Sequence, residues 1–416
     1  MKTAVRHRVL LLAFLAAGIT YLDRVCISAA APAMSADLGL SDLQMGYVFS
    51  VFALAYGICE IPMGWLGDRY GQRTLLTRIV AGWSLFTVLT GMVRSFGSLI
   101  ATRFVFGAAE AGFFPTMSRG LTRWFPQAER GRANGVLWMG ARLGGALAPL
   151  LAAASIARLG WRATFAAFGA VGVLWCFAFW RIYADDPASH PAVSVAELEY
   201  IRSEAPPTSG RPTGSWTAIF RSGNMWALFG MYFSTSYGFW FFLTWMPTYL
   251  MREHGQTLQQ SGLYSVLPLA VGSVACITGG TLSDRPVLRF GIRWGRRAVG
   301  MGGFFLAAAG FAVASTATGP LAAILCLAFA AGALDLAVPV AWATCAGVGG
   351  RFGGAATGFM NTGSSISAML SPLSAAWLAN HFGSFRAMFV VATVIYIIGG
   401  LLWLAIDPAR PLEGAS

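Results

Sequence analysis

Apolar residues in this chain gather in long runs separated by short polar segments that carry most of the charge. A helix needs roughly 20 apolar residues to cross the hydrocarbon of a bilayer. On that scale the runs predict spans near 9–31, 43–65, 74–94, 99–121, 132–154 and 163–183. A second set follows near 223–249, 259–281, 298–317, 319–343, 354–378 and 386–406. Between the sets lies the only long polar stretch, 184–222, containing PPTSGRPTG. The pattern predicts an all-α polytopic membrane protein of twelve transmembrane helices, with an N-terminal six-helix unit over 1–183 and a C-terminal one over 223–416. The segment 184–222 reads as a cytoplasmic linker holding a short amphipathic helix around 193–203.

Composition removes the soluble alternatives. Charged residues make up 11% of the 416 positions and the mean hydropathy is +0.62, whereas a soluble domain carries about 25% charged residues. The net charge of +12 raises the possibility of a nucleic-acid partner, but its distribution argues for topology instead. With the N-terminus inside, 21 Lys or Arg fall on cytoplasmic segments, 5 on outer ones and 3 within spans. That is the positive-inside pattern; it predicts both termini in the cytoplasm and requires no nucleic acid. Four scattered His and six Cys in or beside apolar runs, without CxxC spacing, offer no metal or redox site. The first run outlasts a signal-peptide core and contains Asp23 and Arg24, as expected of a retained first helix.

The two sets of spans echo each other. GWLGDRYGQR at 64–73 returns as GTLSDRPVLRFG at 280–291, RGRANG at 130–135 as FGGAATG at 352–358, Pro149 as Pro372, and Arg162-Ala-Thr-Phe165 as Arg386-Ala-Met-Phe389. Four echoes in the same order predict a duplicated architecture, two pseudo-symmetric six-helix bundles, with substrate between them near the midplane.

Charges inside the spans are the candidate chemistry. They are Asp23, Arg24, Glu60, Arg103, Glu110, Arg142 and Asp335. An ionisable group in the membrane core costs several kcal/mol and usually faces a protein interior or an aqueous path. Six of the seven lie in the first bundle, and five of these, Asp23, Arg24, Arg103, Glu110 and Arg142, at similar depths. Arg103 and Glu110 are seven apart, close to one helix face. Guanidinium forks suit an anion such as a carboxylate, and Asp23 and Glu110 are the candidate proton-coupling acids. Asp335 reads either as a further proton site or as a structural ion pair, and Glu60 as a partner for a loop arginine. In the second bundle the matching face carries aromatic groups, with Tyr237-Gly-Phe-Trp240 at the place that Tyr21-Leu-Asp-Arg24 holds in the first. Asn361 and Tyr56 are polar side chains in apolar surroundings and join the candidate substrate contacts with Arg24, Arg103 and Arg142. The loop pairs Asp68-Arg69 and Asp284-Arg285 are placed to bond across helix ends as a gate. An exporter running as a proton antiporter is the alternative within transport, but three buried arginines favour an anionic cargo. No HExxH, GxSxG or nucleotide loop occurs, so an enzyme is not expected.

GWLGDRYGQR closely resembles the loop signature of the major facilitator superfamily. YLDR at 21–24, RFVFGAAEAGFFP at 103–115, RLGGALAP at 142–149 and GFMNTGSSI at 358–366 resemble its anion:cation symporter branch. The resemblance implies a major facilitator fold and symport of a small organic anion, often a sugar acid such as a hexonate or hexuronate, with protons; a non-sugar monocarboxylate is the alternative cargo. It also implies a bacterial inner-membrane carrier, monomeric, without cofactor. It ties Asp23 and Glu110 to proton coupling, and Arg24, Tyr56, Arg103, Asn361 and additionally Tyr21 to substrate. The pattern departs at Ala141, where the galactonate-type pocket has a glutamine; this weakens galactonate itself as the cargo.

Overall fold

The computed structural model describes residues 5–203 and 218–412. Among them there are fourteen α-helices and no strand. They are α1 (Val5–Leu38), α2 (Asp42–Tyr70), α3 (Gln72–Thr90), α4 (Phe96–Glu110), α5 (Phe113–Trp124), α6 (Arg130–Ile182), α7 (Val195–Arg202), α8 (Ala218–Arg221), α9 (Gly223–Thr244), α10 (Met246–His254), α11 (Leu258–Thr316), α12 (Pro320–Gly349), α13 (Gly353–Phe382) and α14 (Arg386–Ala405). Helices α6 and α11 are each two helices joined through a glycine, at Gly160 (φ 77°, ψ 164°) and Gly291 (φ 76°, ψ 165°). Such backbone angles exclude ordinary L-residues. Helices α4 and α5, and likewise α9 and α10, run on as single rods. With α7 and α8 set aside as linker helices, twelve membrane-length segments remain, as the hydropathy pattern predicts. By length and composition alone seven stretches are apolar enough to cross a membrane. Of the others, α4 and α5 taken separately are too short, at 15 and 12 residues, and reach membrane length only together. The amphipathic helix expected near 193–203 is α7; part of the expected linker, 204–217, lies outside the described residues.

The duplication in sequence is a duplication in local structure. Ser41 and Gln44 form a capping box at the start of α2, and Thr257 and Gln260 form its counterpart at the start of α11. Gly71 (φ 85°, ψ 151°) turns α2 into α3 much as Gly291 turns α11 back on itself.

The two bundles meet chiefly where α2 packs on α13, α6 on α11 and α12 on α6. Glycines bring these backbones together. A Cβ on Gly64 would overlap the carbonyl of Gly354, and one on Gly280 that of Gly131. Small residues of this kind allow close, van der Waals packing where the hydrophobic effect gives no drive for association within lipid. Both contacts lie at the end of the molecule that carries the Gly71 and Gly291 turns, and they draw the bundles shut there.

Candidate functional site

At the shut end, two carboxylates clasp helices of the opposite bundle. Asp68, near the end of α2, accepts hydrogen bonds from the backbone N–H groups of Gly354 and Ala355, each at 3.0 Å. Asp284 accepts from those of Gly131 and Arg132 at 3.1 and 2.8 Å. Each acid thereby satisfies the otherwise orphaned donors at a helix start and faces the positive end of its dipole. The sequence expectation of acid and arginine bonding across the rim is met only by the acids. Arg69 stacks over Trp65 and Tyr70 of its own helix, and the ion partner of Asp68 is Arg119, 3.6 Å away on α5. The Arg285 side chain lies outside the described residues.

Between the bundles, deep in the spans, a cavity is lined by Tyr21 and Arg24 of α1, Tyr56 of α2, Arg142 of α6, Trp240 of α9, Asp335 of α12 and Asn361 of α13. Its remaining walls carry six aromatic side chains, Phe52, Phe114, Trp138, Tyr232, Phe239 and Phe242, with small and aliphatic residues between them. Thr235, Ser236, Ser364 and Ser365 add hydroxyl groups. Seven of the predicted residues therefore come together.

Arg24 donates from Nε to Oε1 of the buried Glu110 at 2.7 Å and lies 4.5 Å from the Tyr56 ring centroid. Its Nη2 and the second oxygen of Glu110 have no hydrogen-bond partner among the described atoms. Asp23, one residue earlier and facing away from the cavity, is 1% exposed beside Trp83 and Thr87 of α3. No well-formed hydrogen bond reaches either of its oxygens. Arg103 does not line the cavity. Its guanidinium is buried over the rings of Phe106 and Phe52, 4.5 and 5.0 Å from their centroids, within electrostatic reach of Asp23 and Glu110. The first bundle thus holds two acids and two arginines with spare hydrogen-bonding capacity, an arrangement able to take up an anion, a proton or both.

Two polar clusters cross between bundles. Arg142 donates through Nε and Nη2 to the two carboxylate oxygens of Asp335, at 2.9 and 2.6 Å. Glu60 accepts from the Asn361 amide and, at 3.2 Å, from Ser365 Oγ. The expectation of a loop arginine beside Glu60 is corrected here: this acid is fully buried and its partners are on α13. Tyr237 is not among the cavity walls; its hydroxyl lies 2.5 Å from Ser374 Oγ. The aromatic walls Phe114 and Trp138, stacked with centroids 4.6 Å apart, were not singled out from the sequence, because a run of apolar residues does not say which ring turns inward.

A family model for the Major Facilitator Superfamily matches residues 13–352 and 286–415. The probable sulfoacetate transporter SauU of Cupriavidus necator is 36% identical over 414 residues, covering 98% of this chain and 95% of that protein. The probable galactarate/D-glucarate transporter GudP of Bacillus subtilis is 32% identical, covering 97% and 92%. In fold, the chain is similar to the proton:xylose symporter XylE bound to 6-bromo-6-deoxy-D-glucose, with a TM-score of 0.78, 16% identity and coverage of 99% and 98%. Duplicated bundles, glycine-packed crossings, a central cavity and the signature at 64–73 agree with these matches. This chain belongs to the major facilitator superfamily, in its anion:cation symporter family, and is a membrane transporter rather than an enzyme.

Proposed function

We propose that this chain takes up a small organic anion together with protons by alternating access. The observation that carries the reading is the Arg24–Glu110 pair at the cavity. A buried guanidinium N–H and a buried carboxylate oxygen are both left unsatisfied there. An incoming carboxylate or sulfonate completes the first, and a proton completes the second. Buried polar atoms left without a hydrogen-bond partner are costly, so the site favours taking both together. Asp23, buried just behind, supplies a further proton position.

The units that rock are the bundles 1–183 and 223–416, joined by the linker 184–222. Asp68 and Asp284 hold the cytoplasmic side shut in the conformation described here, and both termini face the cytoplasm of a bacterial inner membrane. The reading takes the carrier as a monomer, its cavity enclosed between the two bundles of one chain. The cargo expected from the sequence is a sugar acid, and relatives named for galactarate/D-glucarate transport agree with it. A second reading is a smaller, sulfonated acid. It is favoured by the aromatic and aliphatic side chains that make up much of the cavity wall and by the 36% identical relative named for sulfoacetate. In proteoliposomes, an inward proton gradient should drive accumulation of a galactarate or sulfoacetate label, and a protonophore should abolish it. Uptake that ignores the gradient would overturn proton symport, and failure of a panel of sugar acids, simple carboxylates and sulfoacetate to bind would overturn the anion.

A further inference from the structure

The Arg142–Asp335 pair is a cavity feature that the scheme above leaves unused. It differs from Arg24–Glu110 in two ways. It is saturated, because Nε and Nη2 of Arg142 are each bonded to a separate oxygen of Asp335. It also joins α6 to α12 and therefore spans the bundles, whereas Arg24 and Glu110 belong to one bundle. In the repeat, Asp335 falls beside the counterpart of Glu110: the 223–224 offset that relates 130–135 to 352–358 and Arg162 to Arg386 carries Glu110 to within two residues of it. The seat of its carboxylate is shaped for it, since any Cβ at position 272 of α11 would collide with Asp335 Oδ2.

Resting on the reading of this cavity as an anion site, we propose that Asp335 is an internal counter-anion which substrate exchanges off Arg142. Asp335 takes up a proton as it leaves, so that Arg142 becomes a second anionic-group subsite facing the same cavity as Arg24. The balance is simple. Two N–H···O bonds from Arg142 to Asp335 break, and the same two N–H groups bond to a substrate carboxylate or sulfonate. One proton from the aqueous side adds to the released Asp335 carboxylate, and it departs when substrate leaves and the pair closes. Bidentate geometry is kept throughout, which suits arginine and a planar or trigonal anionic head. Without the proton, Asp335 would be a buried, unpaired anion. The other groups near the pair are Cys276 on α11, Tyr232 on α9, Tyr396 on α14 and Tyr21 on α1. Helices α13 and α5 bring no charged group to this cavity, only Asn361, two serines, Ala368 and Phe114. None is a second carboxylate on Arg142. The consequence for specificity is that acids with an anionic group at each end engage both arginines, while acids with one leave Asp335 in place.

The test uses the full-length protein in detergent with galactarate and sulfoacetate, which carry two anionic groups, and galactonate, which carries one. Infrared difference spectra on adding either two-headed acid should gain one protonated-carboxyl band beyond the Glu110 band that galactonate also gives, and binding should tighten as pH falls more steeply than for galactonate, by up to about a further tenfold per pH unit for the added linked proton. In Asp335→Asn the added band should vanish. The proton count on binding should drop by about one, and affinity at alkaline pH should rise because Arg142 starts free. Asp335→Glu, which keeps the charge if the amide variant does not fold, should move the added band. Galactonate should give neither the added band nor a difference between wild type and Asp335→Asn. Binding and proton-driven uptake of a two-headed acid without the added band, or with an added band and slope indifferent to both Asp335 variants, overturns this inference and leaves the symporter reading intact. Galactonate binding with no binding of either two-headed acid also overturns it. No binding by any of the three overturns the symporter reading and this inference together.

Discussion

Asp68 and Asp284, 216 positions apart in the sequence, each hold the first turn of a helix in the opposite bundle through two backbone N–H groups. The two clasps are related by the same duplication that produced the bundles. Because they grip backbone rather than a side-chain partner, any sequence that starts a helix at that place can be held. The clasp then depends on position more than on the identity of the residues held.

Removing the charge from one clasp should loosen the shut end. Asp68→Asn keeps one acceptor oxygen and loses the ion–dipole attraction, which is worth about 1 kcal/mol in a partly buried setting. The fraction of molecules open toward the cytoplasm should rise roughly fivefold. Alkylation of a cysteine introduced beneath the gate, from the cytoplasmic side, checks this; an unchanged rate would argue against a gating role. Combining the change with Asp284→Asn should add to the effect, since the clasps share no partner.

Close approach at the glycine crossing makes a different prediction. Gly64→Ala places a methyl group on the Gly354 carbonyl, and overpacking of this kind costs about 1–3 kcal/mol. The bundles should separate at the same end, with a lower apparent melting temperature in detergent. Gly46→Ala, whose Cβ meets nothing nearby, serves as the control and should leave both readings alone.

Arg24 should be indispensable for the cargo. Arg24→Ala removes a buried guanidinium that reaches the cavity and strands Glu110; losses of about 2–5 kcal/mol in binding follow when one member of a buried charged contact is truncated. Arg24→Lys keeps the charge but not the fork and should fall between alanine and wild type. Calorimetric titration with the transported acid reads both. Wild-type affinity in the alanine variant would remove Arg24 from the site.

Glu110→Gln separates binding from coupling. The amide still accepts from Arg24 but takes no proton. Proton-driven accumulation in vesicles should cease while exchange of labelled for unlabelled anion continues. Accumulation at the wild-type rate would move the coupling role to another acid, Asp23 first.

What the sequence determined by itself is the architecture and the inventory. Bilayer thickness fixes the length of an apolar run, so twelve spans were readable from hydropathy. Duplication was readable from echoes such as GWLGD and GTLSD, and the cost of charge in lipid marked the seven charged residues within the spans. Partnership was decided only in three dimensions. Arg24 reaches Glu110 across 86 positions, Arg142 reaches Asp335 across 193, and Asn361 reaches Glu60 across 301. Helical periodicity tells which residues share a face of one helix. It does not tell which helix stands opposite, or how far either is rotated about its axis. That is why Glu60 meets Asn361 instead of a loop arginine, and why Tyr237 turns to Ser374 while Trp240 turns to the cavity. It is also why the loop acids hold backbone amides instead of guanidinium groups: the glycines at the crossings bring the two backbones so close that the nearest donors are main-chain N–H groups.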